Sequence, residues 1–575
     1  MRGFFSHRPI AACSAVAAAA ALVACGGGDD TVATPTALPQ LSAAQAGALS
    51  VACPSLTGFT YAGVTITSAT TVAAGTLILA GSPVPEHCHV TGKLGSRTGS
   101  DGLTYAIGFE MRMPQTWSGR FYYQGNGGLD GNVATATGAT GGGPNTHALL
   151  QGFAVISSDA GHTGAQTPAF GFEPQARLDY GYQAAAKLTP MAKSLVKAAY
   201  GRAPDRSYFG GCSNGGRHTL VATSRLAEEY DGFLAGAPGY NLPKAAVSQI
   251  WGAQQYARAY TVGATTTANG NTIADLATAF TPAERTMIAG RILAKCDALD
   301  SAADGIVSDT AACQKAFSLA DDVPTCSGAR DNTCLTALQK DVLANIHAGA
   351  RTSTGAAIYS TFSFDPGIAG NGWAAWEFVN SLALDPLAAG VVFNATPAFL
   401  ANPLTASIDA LAAAITATSA TYTVSGMDFM TPPTPSNLSV LKGRGAKVML
   451  YHGVSDAVFS YDDSVTWVNN LASANGGDAS NFARLFGVPG MNHCSGGPAT
   501  DQFDMLTPLV QWVEQGKAPD AVIASARGAG NAGGVNAEVP AGWSATRTRP
   551  LCAYPKVAKY KGTGSLELAA SFSCQ

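Results

Sequence analysis

Gly211-Cys212-Ser213-Asn214-Gly215 is the stretch of this 575-residue sequence that decides its fold. It is a G-x-S-x-G pattern, found once in the chain, with a strand pattern before it at 207–211 and a helical pattern after it at 217–229. A serine between glycines is usually only a turn. Between a strand and a helix, however, the pattern predicts a sharp bend that presents a nucleophilic serine, here Ser213. The amide of Asn214, at the helix start, is then placed to face a developing oxyanion.

Short apolar or alternating segments bounded by Gly or Pro predict further strands. These segments are 104–113, 120–124, 153–158, 446–451 and 482–488. Strands that alternate with helices favour an α/β fold, with a mostly parallel sheet covered on both faces. The core would comprise residues 51–239 and 441–575. Residues 240–440, rich in Ala, Thr, Gly and Cys with weak helical patterns, are predicted to be an inserted lid domain.

A serine nucleophile needs a base and an orienting carboxylate, in the chain order Ser, Asp, His for this arrangement. Asp456 and His493 each follow a late strand pattern, where the carboxyl ends of parallel strands gather catalytic groups. We predict Ser213 as nucleophile, His493 as general base and then acid, and Asp456 as the partner that sets the tautomer. His162 and His452 are rival histidines, and we interpret both as structural.

The loop Gly125-Asn126-Gly127-Gly128 follows the strand pattern at 120–124. An early loop of this kind supplies the second oxyanion donor in such folds, so we predict Gly127 and Gly128, with Asn214, as the oxyanion hole. The alternative is a flexible turn.

Composition excludes several classes of protein. Hydrophobic residues make up 46% of the chain and charged residues 13%, which excludes a largely disordered protein. With 34 basic against 38 acidic residues and a net charge of -4, nothing indicates a nucleic-acid partner.

The N-terminus predicts export. Residues 1–24 combine two arginines with a charge-free, Ala-rich run that is too short to span a membrane but typical of a signal peptide. Leu22-Val23-Ala24-Cys25 is similar to a bacterial lipobox, and residues 25–50 would then be a flexible tether. The prediction is a periplasmic, outer-membrane or extracellular protein that touches a membrane only through a lipid on Cys25. The alternative is ordinary signal cleavage nearby.

Twelve cysteines are present, and ten remain once Cys13 and Cys25 are assigned to the signal and the lipid. An even number in an exported protein favours five disulfides. Neighbours in sequence suggest Cys53–Cys88, Cys296–Cys313, Cys326–Cys334 and Cys552–Cys574. Cys212 and Cys494 remain, and a bond between them would join the loops of the nucleophile and the base. Zinc is the competing interpretation, but the chain has no CxxC pair.

The pairs Cys212-Ser213 and His493-Cys494, together with Asp456, resemble the tannase and feruloyl esterase family. The resemblance extends over nearly all of the chain beyond the N-terminal segment. It implies an α/β-hydrolase fold with a large lid-domain insertion, and a Cys212–Cys494 disulfide that links the triad.

The family's lid carries a structural calcium ion, and the resemblance places its ligands in one acidic stretch of this chain. They would be the carboxylates of Asp297, Asp300 and Asp304 and the carbonyls of Ala302 and Ile306. Oxygen ligands of this kind suit calcium, although the spacing is not that of an EF-hand. The alternative is a solvated acidic turn.

The resemblance also assigns a substrate pocket, lined by Leu242, Trp376, Phe393 and Phe459. Family members that cleave mono(2-hydroxyethyl) terephthalate hold its free carboxylate with a lid arginine. Residues 352–441 contain no Arg or Lys, so this chain lacks that bidentate partner. The aromatic residues offer a neutral wall, or they are simply lid core.

These observations leave three candidate functions, which are alternatives to one another. The first is an exported serine carboxylic-ester hydrolase that cleaves small esters of aromatic acids, of the feruloyl esterase or tannase type, through an acyl-enzyme. The second is hydrolysis of mono(2-hydroxyethyl) terephthalate, with Arg258 as the basic residue in reserve. The third, from a different class, is a non-catalytic surface lipoprotein that binds aromatic compounds.

Overall fold

Ser213 directly follows a central strand of the main sheet. The computed structural model describes residues 38–139 and 147–575. Within these ranges the main sheet has nine strands, which are, in chain order, β1 Val64–Val72, β2 His87–Thr98, β3 Thr104–Pro114, β4 Arg120–Gly125, β5 Ala154–Ser158, β6 Arg206–Cys212, β7 Gly232–Gly236, β8 Lys447–Gly453 and β9 Ala483–Val488. Their order across the sheet is β9-β8-β7-β6-β4-β5-β3-β2-β1.

The sheet is mixed. The six strands from β9 to β5 pair in parallel, as predicted, and β3, β2 and β1 continue the sheet in antiparallel fashion. Strands β1 and β2 are not among the predicted strands, although the alternation Val64-Thr65-Ile66-Thr67 is a strand signal. Smaller strands outside this sheet are Gly47–Ala48, Ile78–Leu79, Ser82–Pro83, Thr116–Trp117, Thr265–Ala268, Asn271–Ala274, Gln502–Phe503, Ala521–Ser525, Thr548–Cys552, Ala558–Tyr560 and Phe572–Cys574.

The part of the chain that the structure describes has seven longer α-helices: α1 Ala184–Tyr200, α2 Asn214–Arg225, α3 Leu242–Tyr256, α4 Pro282–Cys296, α5 Ala337–Ala348, α6 Tyr461–Ala474 and α7 Leu506–Gln515. Shorter helices are Pro174–Leu178, Thr310–Ala316, Leu319–Asp322, Asn371–Ala375, Ser381–Ala383, Asp385–Leu387, Ile408–Ala414, Gly426–Met430 and Ser439–Gly443. The helix predicted at 217–229 is α2, which begins earlier, directly after Ser213, and also ends earlier.

Both faces of the central strands of the main sheet are buried. Side chains alternate along β4, so Phe121 and Tyr123 belong to one apolar cluster while Tyr122 belongs to another. Each of these rings is at most 3% exposed. This is the two-sided cover that the fold-class prediction requires, and the architecture is that of an α/β-hydrolase.

The predicted lid is the chain between β7 and β8. It has an apolar cluster of its own, which includes Tyr256, Phe280, Ile288, Trp373 and Phe378. The whole of Leu38–Gln575 nevertheless forms one compact unit, so the lid packs onto the core without a separate boundary.

The tether prediction is wrong for its second half. Gly47–Ala48 pairs with Thr116–Trp117, and the side chain of Gln40 donates to the carbonyl of Val513 at 2.8 Å. Residues 38–50 are therefore held on the core by hydrogen bonds. The signal and lipid-anchor predictions fall on residues 1–37, outside the described residues. Within the described ranges, no helix is long and apolar enough to cross a membrane.

Candidate active site

Ser213 lies at a tight bend between β6 and α2. Its φ of 65° and ψ of -127° are strained for a residue with a side chain. Gly211 and Gly215 make the bend sterically feasible, because a Cβ on either would come within 2.4 Å of the carbonyl oxygen of Gly125. The glycines of the pattern thus serve close backbone packing, and the bend turns the serine out of the sheet.

Three side chains from three loops form one hydrogen-bonded chain. The Oγ of Ser213 is 2.7 Å from Nε2 of His493, and Nδ1 of His493 is 2.6 Å from Oδ2 of Asp456. With Nδ1–H donating to the carboxylate, Nε2 is free to accept the serine proton. The structure therefore brings the three predicted residues together in the geometry of nucleophile, base and orienting acid.

The Asp456 carboxylate is fixed from several directions. Its Oδ1 accepts backbone N–H bonds from Val458 and Phe459, both at 3.0 Å. Burial alone would raise the pKa of Asp456, but His493 and His452 beside it bring that pKa well below its ordinary value. An ionised carboxylate is what an orienting partner for the base requires.

The two rival histidines have supporting positions. His452 is fully buried, with Nε2 2.9 Å from the carbonyl oxygen of Phe459 and 3.3 Å from Oδ2 of Asp456. His162 is also fully buried, and its Nε2 lies 2.8 Å from the carbonyl oxygen of Leu129. Neither histidine is hydrogen-bonded to the serine, in agreement with the structural interpretation.

A disulfide joins the loops of the nucleophile and the base. Cys212 and Cys494 are bonded, with their Cα atoms 6.2 Å apart. The other four predicted pairings, Cys53–Cys88, Cys296–Cys313, Cys326–Cys334 and Cys552–Cys574, are also present. All five pairings are confirmed.

The oxyanion loop, residues 125–130, passes beside the nucleophile. A Cβ placed on Gly127 would lie 3.9 Å from the Cβ of Ser213, and Gly128 has a φ of +63°. Asn126 anchors the start of the loop, since its side-chain amide donates to the carbonyl of Ser158 at 2.8 Å. Gly127 and Asn214 thus lie beside Ser213, and the role of Gly127, Gly128 and Asn214 as oxyanion donors stays a prediction.

Aromatic rings cover the imidazole of His493. The ring centroids of Trp376 and Phe459 lie 5.0 and 5.3 Å from it, both nearly edge-on. Leu242, 7% exposed, begins α3. Phe393 is 0% exposed and packs in the same core cluster as Leu242 and Phe459, so its pocket role stays a prediction. The sequence could not separate these rings, since a core aromatic and a pocket aromatic look alike in it.

Comparison with known proteins agrees with this geometry. A family model described as tannase and feruloyl esterase matches residues 88–575. The chain belongs to the tannase and feruloyl esterase family. It is therefore an ester hydrolase of the tannase and feruloyl esterase type.

Individual relatives support the assignment. The chain is 41% identical over 529 residues to the mono(2-hydroxyethyl) terephthalate hydrolase of Piscinibacter sakaiensis, with 85% of each chain covered. It is 28% identical over 500 residues to a probable feruloyl esterase B-2 of Neosartorya fischeri, covering 81% of this chain and 83% of the relative. The crystal structure of feruloyl esterase B from Aspergillus oryzae superposes with a TM-score of 0.71 at 25% identity, covering 91% of this chain and 99% of that one.

The acidic stretch predicted to bind calcium forms a tight loop in the lid of this tannase and feruloyl esterase family member. Asp297 accepts from the backbone N–H groups of Asp304 and Gly305 at 3.1 and 3.0 Å. Asp300 accepts from the N–H of Ser308 at 2.9 Å, and Asp304 forms an ion pair with Arg549. In the described part of the chain, no three His, Cys, Asp or Glu side chains are arranged to share a metal ion.

The donor set nevertheless fits calcium by its chemistry. Three carboxylates fall within eight residues, and the two carbonyl-bearing residues of the predicted set, Ala302 and Ile306, are buried at 3% and 5% exposure. Hard oxygen donors of this kind are those that calcium prefers. The calcium site stays a prediction.

The basic residue held in reserve for a substrate carboxylate is already paired. Arg258 donates to Asp341 at 2.7 Å, and both side chains are exposed, at 42% and 55%. No basic residue of the lid stretch 352–441 can take its place, because the sequence has none there.

Proposed function

We propose that this protein is a serine carboxylic-ester hydrolase that cleaves small esters of aromatic acids, of the hydroxycinnamate or gallate type. The hydrogen-bonded chain Ser213–His493–Asp456, beneath the aromatic edges of Trp376 and Phe459, is the observation that carries the proposal. An aromatic acyl group has apolar faces that such rings contact favourably.

The proposed reaction proceeds through an acyl-enzyme. His493 Nε2 takes the proton of Ser213 as the hydroxyl oxygen attacks the ester carbonyl, and the oxyanion forms beside Gly127, Gly128 and Asn214. The imidazolium then gives its proton to the departing alkoxide. Water then repeats the sequence. His493 removes a proton from water as the water oxygen attacks the acyl carbonyl. The bond from that carbon to the serine oxygen breaks, the imidazolium returns its proton to the serine, and the aromatic acid is released.

The second candidate is hydrolysis of mono(2-hydroxyethyl) terephthalate, favoured by the similarity to the Piscinibacter sakaiensis hydrolase of that name. That substrate carries a free carboxylate, which needs a basic partner in a largely apolar pocket. The chain has none in residues 352–441, and Arg258 is paired with Asp341. We therefore place neutral aromatic esters first. A non-catalytic binder would have no use for a serine hydrogen-bonded to a histidine.

We also propose that calcium stabilises the lid, held by Asp297, Asp300 and Asp304 with the carbonyls of Ala302 and Ile306. Bound there, it would supply positive charge to three buried or half-buried carboxylates and no reacting group. Export fits the five disulfides, which persist in oxidising compartments. A lipid on Cys25 would be the only membrane contact in this proposal.

The experiment that tests the activity is turnover of methyl ferulate, methyl gallate and mono(2-hydroxyethyl) terephthalate side by side, by protein beginning at Gly26. Ser213→Ala serves as the blank. We expect hydrolysis of the neutral esters with a higher kcat/KM than that of the terephthalate, and none above blank in the variant. Preference for the terephthalate would support the second candidate, and no turnover of any ester would support the binder.

A further inference from the structure

Asp130 is a buried carboxyl that connects both sides of the predicted oxyanion hole. It ends the oxyanion loop, where its backbone N–H donates to the carbonyl of Gly127 at 3.2 Å and its φ is +55°. For a residue with a side chain such a φ costs free energy, so it persists only where the surroundings hold the residue in place. The Asp130 side chain is only 2% exposed, so those surroundings are protein.

The Asp130 carboxyl reaches across to the helix that begins beside the nucleophile. Its Oδ2 accepts from Nδ2 of Asn214 at 2.8 Å and lies 2.9 Å from Nε2 of His218. Asn214 is the residue whose backbone amide is predicted to face the oxyanion. One side chain therefore joins the loop that carries Gly127 and Gly128 to the start of α2.

Further contacts leave this connection little freedom. The Asn214 side-chain oxygen accepts from Nε of Arg217 at 2.9 Å, and Tyr180 donates its hydroxyl to the carbonyl of Gly128 at 3.2 Å. Arg217 is fully buried and also donates to the backbone carbonyls of Tyr180 and Gly181. A small cavity of about 10 Å³ beside Asp130 and His218 has room for no more than one water molecule.

Burial shifts the pKa values of Asp130 and His218 in opposite directions. Burial raises the pKa of Asp130 well above its ordinary value, with Asp159 adding to the rise and Arg217 and Asn214 opposing it. Burial, and then Arg217, lower the pKa of His218 well below its ordinary value. Both shifts disfavour the charged forms of these two side chains.

We infer that Asp130 is a positioning residue that holds the oxyanion loop and the Asn214 amide at the separation that the oxyanion requires. The inference rests on the proposed esterase function and deepens it. Within the described residues, the hydrogen bonds of Asp130 reach Gly127, Asn214 and His218 and none of the reacting atoms, so Asp130 acts through other groups. Oxyanion donors act through fixed geometry, and a displacement of about 1 Å is enough to lower a rate about 100-fold.

The test compares Asp130→Ala, which removes the connection, with Asp130→Asn, which keeps an oxygen for Asn214. Asp231→Ala is the matched control, because Asp231 is also buried and accepts from the N–H of Ser207, at the opposite end of β6 from Ser213. Three quantities are measured: kcat and KM on methyl ferulate, and the affinity for phenylboronic acid. The boronate forms a tetrahedral adduct with the serine that places an oxygen in the oxyanion hole.

We expect Asp130→Ala to lose kcat and boronate affinity by about 10- to 100-fold, with KM changed less than about threefold. Asp130→Asn should stay within about threefold of wild type, and Asp231→Ala should lower the melting temperature without lowering kcat. A folded Asp130→Ala with wild-type kcat and boronate affinity would overturn the inference. If Asp130→Ala does not fold, Asn214→Ala removes the same hydrogen bond from the other side, and unchanged boronate affinity there also overturns it. Wild-type protein without esterase activity would instead refute the proposed function.

Discussion

Asp456 in the catalytic loops and Glu377 in the lid are both buried carboxyl groups, yet their surroundings shift their pKa values in opposite directions. They are 2% and 4% exposed and border the same small cavity. Two histidines and two backbone N–H groups keep the pKa of Asp456 low. Burial, with Asp385 adding to it, raises the pKa of Glu377 to about 8.

The difference shows how the two regions divide their tasks. The core fixes an ionised group where the base must be oriented, and hydrogen bonds from the loop after β8 hold it there. The lid places Trp376 over the imidazole, and burial there raises the pKa of the next residue, Glu377, to about 8. The lid thus covers the site with an apolar ring, while the core supplies the charged group that orients the base.

The largest expected effect comes from removing the core carboxylate while keeping its shape. Asp456→Asn should lower kcat by about 10⁴-fold, because the amide cannot stabilise the imidazolium or select its tautomer. Glu377→Gln is the matched control, and its kcat at pH 7 should stay within about threefold of wild type. Steady-state kinetics on methyl ferulate give both values. Equal losses in the two variants would remove the distinction between core and lid.

The disulfides sharpen the same contrast. Cys212→Ser/Cys494→Ser should lose about 10- to 100-fold in kcat, since the bond joins the nucleophile's loop to the base's loop. Cys326→Ser/Cys334→Ser removes a lid disulfide and should lower the melting temperature with kcat preserved. Kinetics and thermal unfolding of both variants make the comparison. Full activity without the Cys212–Cys494 bond would contradict a positioning role for it.

Calcium should affect the stability of the lid and leave the rate of the reaction unchanged. If the ion binds at the acidic loop, chelation should lower the melting temperature by several degrees while protein that remains folded keeps its kcat. Asp304→Asn should show a lower melting temperature and little further response to the chelator. An unchanged melting temperature on chelation of wild-type protein would speak against the site.

The smallest effect concerns pH and the lid acid. Because the folded pKa of Glu377 lies above its ordinary value of 4.5, the folded state retains a proton that the unfolded chain loses between about pH 4.5 and 8. Its contribution to stability is therefore present at low pH and is lost as the pH rises through about 8. The melting temperature of Glu377→Gln should exceed that of wild type by more at pH 8.5 than at pH 5. A difference independent of pH would mean that Glu377 is ionised throughout.

More of the core than of the lid could be predicted from the sequence, for a physical reason. Parallel strands end at one edge, so a G-x-S-x-G pattern, one aspartate and one histidine after successive strands were enough to place the site. Phe393 and Trp376 have no such frame, and only packing decides that one is core and the other covers His493. Asp130 was missed because its partners, Asn214 and His218, lie more than 80 residues away.

The most direct test of the central claim is to identify the serine that reacts with a fluorophosphonate probe. Peptide mass spectrometry should find the adduct on Ser213 alone, with no labelling in Ser213→Ala and much slower labelling in His493→Ala. That result would show a serine activated by the base that the structure places beside it. Labelling of another serine, or labelling of Ser213→Ala at the wild-type rate, would contradict the account.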